Sequence, residues 1–363
     1  MNNILGIIHV ANDNKRLQPL TNHRCKASIP FGSRYRMIDF ILSSMVNSDI
    51  QNIGVFTPLN NRSLLDHLGD GKDWDLDRKQ DGLFIFPSDR LKETGNLTAF
   101  YSAKDYLEKS SQDYVLLCFD TFITNIDFQP LYKQHVKSRA DITIMYKDKQ
   151  KSDNHFIPIE IDDFQNIIGE PNQSEIGSLD IMILRKEKYL DLLNEHVHKN
   201  DDFQDVILYH IQNNSLNIKG FKYNGYVKKI STTQQYFDSN IGLLNLEEMK
   251  QLFKENNEIY TKLKDEPPTK YSASSKVNNS LIANGCIIEG NVENSILFRG
   301  VHVKRGALIK NSIIMPNCRV GEYAKLDRMI LDKEVIVLPY DNLQSSEQEP
   351  KVIPKKETAR TNV

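Results

Sequence analysis

Glycine is scarce in this chain, and scarce in one place above all. Only 17 of 363 residues are glycine, against a usual share of ~7%. Five of them fall between residues 281 and 330, and none falls between residues 7 and 31. A backbone that lets a phosphate approach its N–H groups usually carries glycine there, so the gap excludes an ordinary glycine-rich phosphate loop near the N-terminus. Cysteine is equally thin. Cys25, Cys118, Cys286 and Cys318 are scattered with no CxxC pair, which excludes a disulfide framework or a metal finger. Positive charge has no excess, since 46 Lys+Arg face 48 Asp+Glu for a net charge of -2. A protein that neutralises nucleic-acid phosphates needs such an excess, so nucleic acid is not an expected partner. No run approaches the ~18 apolar residues of a membrane span. The apolar stretch Ile4–Val10 has no basic run before it and stops at Asn12-Asp13-Asn14, unlike a secretory signal. With 39% hydrophobic and 26% charged residues, the chain reads as a globular cytoplasmic protein of about two domains.

Residues 1–243 alternate between short apolar runs and helical spacing. Ile4–Val10, Ile53–Thr57, Tyr114–Phe119 (YVLLCF) and Asp141–Tyr146 (DITIMY) read as buried strands. Tyr35–Ser48 and Leu97–Glu108 read as helices. Strand–helix–strand order predicts a doubly wound α/β sheet, whose ligands sit beyond the carboxyl ends of the strands. Attention therefore falls on residues 11–26 and 118–122. Residues 244–270 read as a helix and connector, with Pro267-Pro268 marking a boundary. From 271 to 340 aliphatic residues recur at 303, 308, 314, 320 and 326, with glycine or asparagine at many corners. That six-residue period predicts a parallel β-helix of about four coils. The polar residues 341–363 read as a disordered tail.

Motifs in the first half carry a specific resemblance. RLQPLT (Arg16–Thr21), RCKASIPFGS (Arg24–Ser33), YRMIDF (Tyr35–Phe40), HLGDGKDWDLDRKQDGLFIF (His67–Phe86) and IYTKLKDEPPTKY (Ile259–Tyr271) occur in the order and form found in sugar-nucleotide pyrophosphorylases. The closest likeness is to glucose-1-phosphate adenylyltransferase (ADP-glucose pyrophosphorylase), over roughly residues 1–340. That resemblance implies a Rossmann-like nucleotidyltransferase domain followed by a short left-handed β-helix. It also implies Mg²⁺-assisted transfer of a nucleotidyl group, in which glycine N–H groups and basic residues hold the triphosphate and two aspartates hold the metal.

Several parts of that machinery are altered here. The glycine loop is replaced by Ala11-Asn12-Asp13-Asn14. Arg16 and Lys26 match the family's nucleotide-binding cations. Asp120 matches the first metal aspartate, but Phe119 and Thr121 replace the glycine and histidine beside it. Lys229 stands where the second metal aspartate belongs, and an ammonium has no lone pair for Mg²⁺. Glu170 replaces the lysine that grips the sugar phosphate. Asp180 replaces a glycine that approaches the sugar.

With the scaffold intact and four parts altered together, the sequence resembles a regulatory, D-type subunit of that enzyme family with no intact catalytic set. The resemblance implies a catalytic C-type partner in a heterotetramer, a sugar-phosphate or nucleotide effector, and no cofactor except Mg²⁺ if activity remains. Lys229 paired with Asp120 would close the metal site from within. The alternative is an active nucleotidyltransferase with substituted residues, its second carboxylate being Asp127 or Asp238. A β-helix acyltransferase would need a catalytic histidine, and His302 is the one histidine in the repeat region.

Overall fold

The computed structural model describes residues 2–10, 15–59, 61–88, 95–119, 121–149, 156–199, 202–345 and 349–359. All structural statements concern these residues. The four-residue loop 11–14 and Asp120 lie outside them.

The first half is built on a sheet whose strands run in the order Ile218–Lys222, Ile142–Asp148, Ile176–Arg185, Tyr114–Cys118, Ile4–His9, Asn52–Pro58, Gly82–Ser88. Neighbours are parallel except at Ile176–Arg185, which runs antiparallel to both of its flanking strands. One apolar cluster covers each face, the first holding Ile8, Ile41 and Leu116, the second holding Leu5, Leu117 and Phe203. Burial on both faces explains why the central strands are continuous apolar runs. Helices form where the spacing predicts them, at Met37–Asn47 and, broken at Ala103, at Gly95–Ser102 and Lys104–Lys109. The long antiparallel strand was not predicted, because its Gly177-Ser178 and Asp180 interrupt the apolar pattern.

The shared motifs do structural work. Asp39 of YRMIDF accepts the backbone N–H of Arg36 (2.9 Å), tying the N-terminus of helix Met37–Asn47. Its other oxygen meets His67 Nε2 at 2.5 Å. In the PFGS turn, Gly32 and Ser33 both have positive φ (57° and 68°). The Gly32 N–H donates to Asn240 Oδ1 (2.9 Å), and the Tyr236 hydroxyl donates to the Pro30 carbonyl (2.7 Å).

Helix Leu246–Leu252 and an extended connector lead to a left-handed parallel β-helix made of three sheets of six, five and five strands. Pairs such as Ile296↔Ile313 and Ile313↔Ile330 set a repeat of seventeen residues over most of its length. Two sheets have one buried face, so their strands carry a single inward aliphatic, as in His302–Val303 and Arg319–Val320. The third sheet is buried on both faces. Leu297, Ile314 and Leu331 point into the β-helix, while Ile296, Ile313 and Ile330 pack on Phe31, Phe40, Tyr236 and Phe237 of the α/β domain. Beside that row, Phe298, Met315 and Asp332 form a second column. Arg24 reaches across and donates from both guanidinium Nη atoms to the Asp332 carboxylate (2.8 and 3.0 Å), with both side chains 2% exposed. At one corner Asn279, Asn294 and Asn311 share positive φ, and on the next coil Arg328 takes the same conformation. The serines following those asparagines form a ladder, Ser280, Ser295 and Ser312 each accepting the backbone N–H one coil on (3.0–3.1 Å).

Two expectations need correction. The repeat region has five full coils rather than four, and residues 341–363 are not simply a tail. Asn342–Gln344 and Lys351–Ile353 complete the fifth coil, and Thr358–Ala359 adds a sixth strand to one sheet. The error came from composition. A two- or three-residue strand needs only one inward side chain, here Leu343, Ile353 and Ala359, so a folded coil can be mostly polar.

Removing residues 345–363 should therefore destabilise the protein. Losing the buried Ile353 alone is worth about 1.5–3 kcal/mol, and a lowered urea midpoint checks it; a tail without packing would leave the midpoint unchanged.

Candidate functional site

The altered positions converge at the carboxyl end of strand Tyr114–Cys118. The antiparallel strand brings Ile181 opposite Cys118, which places Asp180 beside Phe119, whose N–H donates to the Asp180 carbonyl (3.0 Å). The short strand Val227–Lys229 pairs with Phe122–Thr124 and sets Lys229 opposite Phe122. The two side chains meet there. Lys229 Nζ donates to Asp180 Oδ2 at 3.0 Å, with the side chains 15% and 8% exposed. The partner within the described residues is thus Asp180; the expected Lys229–Asp120 contact lies outside them. Asp180 has φ 53°, which is why glycine suits that position. Asp tolerates the left-handed region better than most residues but still at a cost of about 1 kcal/mol.

Glu170, after strand Ile167–Gly169, stands at the rim. Its carboxyl is raised above its usual value, first by loss of solvent, then by the negative charges of Asp180 and Asp205. An anionic sugar phosphate would meet the same repulsion.

Rings fill the neighbouring space. Phe119 stacks on Phe203 (6.0 Å between centroids, 15° between planes) and meets Phe100 edge-on at 6.0 Å. His9, at the end of the first strand, stands edge-on to Phe100 and Phe119 (5.7 and 6.1 Å). Phe100, Phe119 and Phe203 are all buried. These rings pack beside the carboxyl end of strand Tyr114–Cys118, the end at which a sheet of this type receives its ligand.

The retained cations separate. Arg16 is exposed, its carbonyl accepting from the Thr233 hydroxyl (3.3 Å), whereas Lys26 is buried in the turn Lys26–Ser28. Asp127 and Asp238 serve locally. The first accepts the Gln129 N–H (2.9 Å) and the second the Gln234 side chain (2.7 Å). His302 lies half-buried in a β-helix strand. Among the described residues no group of three His, Cys, Asp or Glu could hold a metal ion. Lys229 and Asp180 do not fit Mg²⁺, because one is a cation and the other already faces it.

A second cluster, which sequence reasoning missed, lies where the two domains meet. Burial and Arg36 and Arg24 push the Lys333 ammonium down to about 7, against the pull of Asp332, with Lys355 adding repulsion. Lys264 is lowered by burial and by Arg299 and Arg36, and Arg299 by burial and Arg34. Arg36 is lowered mainly by burial, and it donates to the Ser63 hydroxyl (2.9 Å). Burial first, and then the neighbouring cations, lower all four groups, so a nearby anion would be favoured there. Arg24, Arg36 and Lys264 lie inside the shared motifs, but Arg299 and Lys333 join them only through the fold.

Residues 5–169 match a family model described as nucleotidyl transferase, and residues 267–347 match one described as GlmU-like, C-terminal hexapeptide. The chain is 37% identical over 359 residues to a glycogen biosynthesis protein GlgD of Bacillus subtilis (strain 168), covering 98% of this chain and 96% of the relative. This chain belongs to the GlgD family. It is also 38% identical over 315 residues to a GlgD of Geobacillus stearothermophilus, covering 85% of this chain and 83% of that protein. A glucose-1-phosphate adenylyltransferase of Bacillus cereus (strain ATCC 10987 / NRS 248) is 30% identical over 337 residues, 89% of each chain. Among the described residues no helix is long and apolar enough to cross a membrane.

Removing one partner of a buried ion pair leaves an uncompensated charge, at a cost of about 3–5 kcal/mol. Lys229→Met should therefore lower stability by that order in urea unfolding. Asp180→Gly in the same background should recover most of it, since it removes the orphaned charge and the left-handed strain together.

Proposed function

We propose that this GlgD-family chain is a regulatory subunit of glucose-1-phosphate adenylyltransferase in cytoplasmic glycogen biosynthesis, without turnover of its own. The reaction, ATP plus glucose 1-phosphate giving ADP-glucose and diphosphate, belongs to a catalytic C-type subunit with which this chain assembles as a heterotetramer. The Lys229–Asp180 pair carries the reading. At the position where the resemblance requires a metal-binding aspartate, the chain holds a cation whose charge Asp180 offsets. The ring cluster around Phe119 and the carboxylate at Glu170 favour the same conclusion. The alternative of an active enzyme with substituted residues would need a further carboxylate near the strand end, and Asp127 and Asp238 are engaged elsewhere.

The regulatory ligand is an anionic sugar phosphate or nucleotide, and the cationic junction around Arg36, Arg299 and Lys333 is where it binds. Such a ligand would favour the charged form of Lys333, which burial and then Arg36 and Arg24 disfavour.

Assayed alone with ATP, glucose 1-phosphate and Mg²⁺, the purified chain should form no ADP-glucose above background. Added to its catalytic partner, it should change that partner's rate or effector dependence. Robust turnover by the isolated chain overturns the reading. For the effector site, the sign follows from Lys333, which is neutral above about pH 7 in the folded protein and charged when an anion raises it toward its usual 10.5. Binding of a sugar bisphosphate should thus take up protons above pH 7 and weaken as pH rises, seen as calorimetric heats that differ between buffers of different ionisation enthalpy. Heats that do not depend on the buffer would count against the junction as the site.

A further inference from the structure

A cavity of about 350 Å³ lies between the end of strand Ile142–Asp148, the turn leading into strand Val227–Lys229, and helix Leu246–Leu252. That volume is within the range of small-molecule sites. It is separate from both clusters above. Its lining includes Lys228 but neither Lys229, Asp180 nor any cation of the domain junction.

Its lining is balanced in charge. Lys147 and Lys228 face the space together with Asp148 and Glu248. The charged groups are held in place by their neighbours. The Tyr226 hydroxyl donates to Glu248 Oε2 (3.3 Å), Asp148 pairs with Lys222 (2.7 Å), and the Lys228 ammonium sits 5.7 Å from the Tyr226 ring centre. Gly225 lets the wall close, because a Cβ there would lie 2.2 Å from the Tyr223 hydroxyl oxygen.

We propose that this cavity binds a neutral, hydroxyl-rich small molecule, either a free sugar or the end of a glucan chain. Three ammonium groups, counting the Lys222 that pairs with Asp148, against two carboxylates leave a surplus of one positive charge, short of what a phosphate-ester dianion needs. Fixed carboxylates accept hydrogen bonds from hydroxyls and ammonium groups donate to them, while Tyr223 supplies an apolar ring for the face of a pyranose. This site does not rest on the regulatory reading, and its test needs no catalytic partner.

The test is titration of the full chain with glucose and with maltotriose, followed by saturation-transfer NMR. At least one should bind saturably, and both Glu248→Gln and Lys228→Met should weaken it about 10-fold or more, the effect of one charged hydrogen bond, with thermal unfolding unchanged. Tighter binding of maltotriose assigns the site to a glucan end, and equal binding assigns it to a free sugar. No saturable binding of either, or binding that neither substitution alters, overturns the proposal.

Discussion

A five-coil β-helix exposes three broad faces for a small interior, and the structure depends on covering one of them. The row Ile296, Ile313, Ile330 does so by packing on Phe31, Phe40, Tyr236 and Phe237. The same contact buries the PFGS turn and the helix Thr233–Gly242, so neither domain completes its core alone. Hydrophobic contact is non-directional, and the forked pair of Arg24 with Asp332 supplies the direction. Two parallel hydrogen bonds between planar groups fix register as well as distance. The cationic junction then exists only because the seam closes in this one way.

Within the α/β domain the scaffold and the site obey different logic. Motifs shared with glucose-1-phosphate adenylyltransferases hold caps and turns, as Asp39 and Gly32 do. At the strand ends charge and volume replace open space. Lys229 answers Asp180, and Phe119, Phe100 and Phe203 pack as a core would. The retained cations divide between solvent and interior.

Much of this was legible in the sequence. Continuous apolar runs located the central strands because both sheet faces are buried, and the six-residue period located the β-helix because each coil repeats one geometry. What escaped had a physical reason. The strand Ile176–Arg185 hides behind Gly177, Ser178 and Asp180, which break its apolar run. The last coil hides behind its polar composition. The contact of Lys229 with Asp180 was not foreseen, although Asp180 had already been singled out as a charge in a glycine position. Two opposite charges introduced at distant positions are a signal of mutual contact, and that signal was present. The junction left none, since Arg299 and Lys333 look like ordinary surface cations until the domains meet.

The buried pair also constrains history. Returning residue 229 to an aspartate while Asp180 remains would press two carboxylates together in a poorly solvated place. Removing Asp180 first would take from the ammonium the carboxylate that faces it at 3.0 Å. Each single step passes through a state worse than either end, so the altered site works as a ratchet. Once both charges were in place, selection acting one residue at a time had no downhill route back to a metal-binding arrangement.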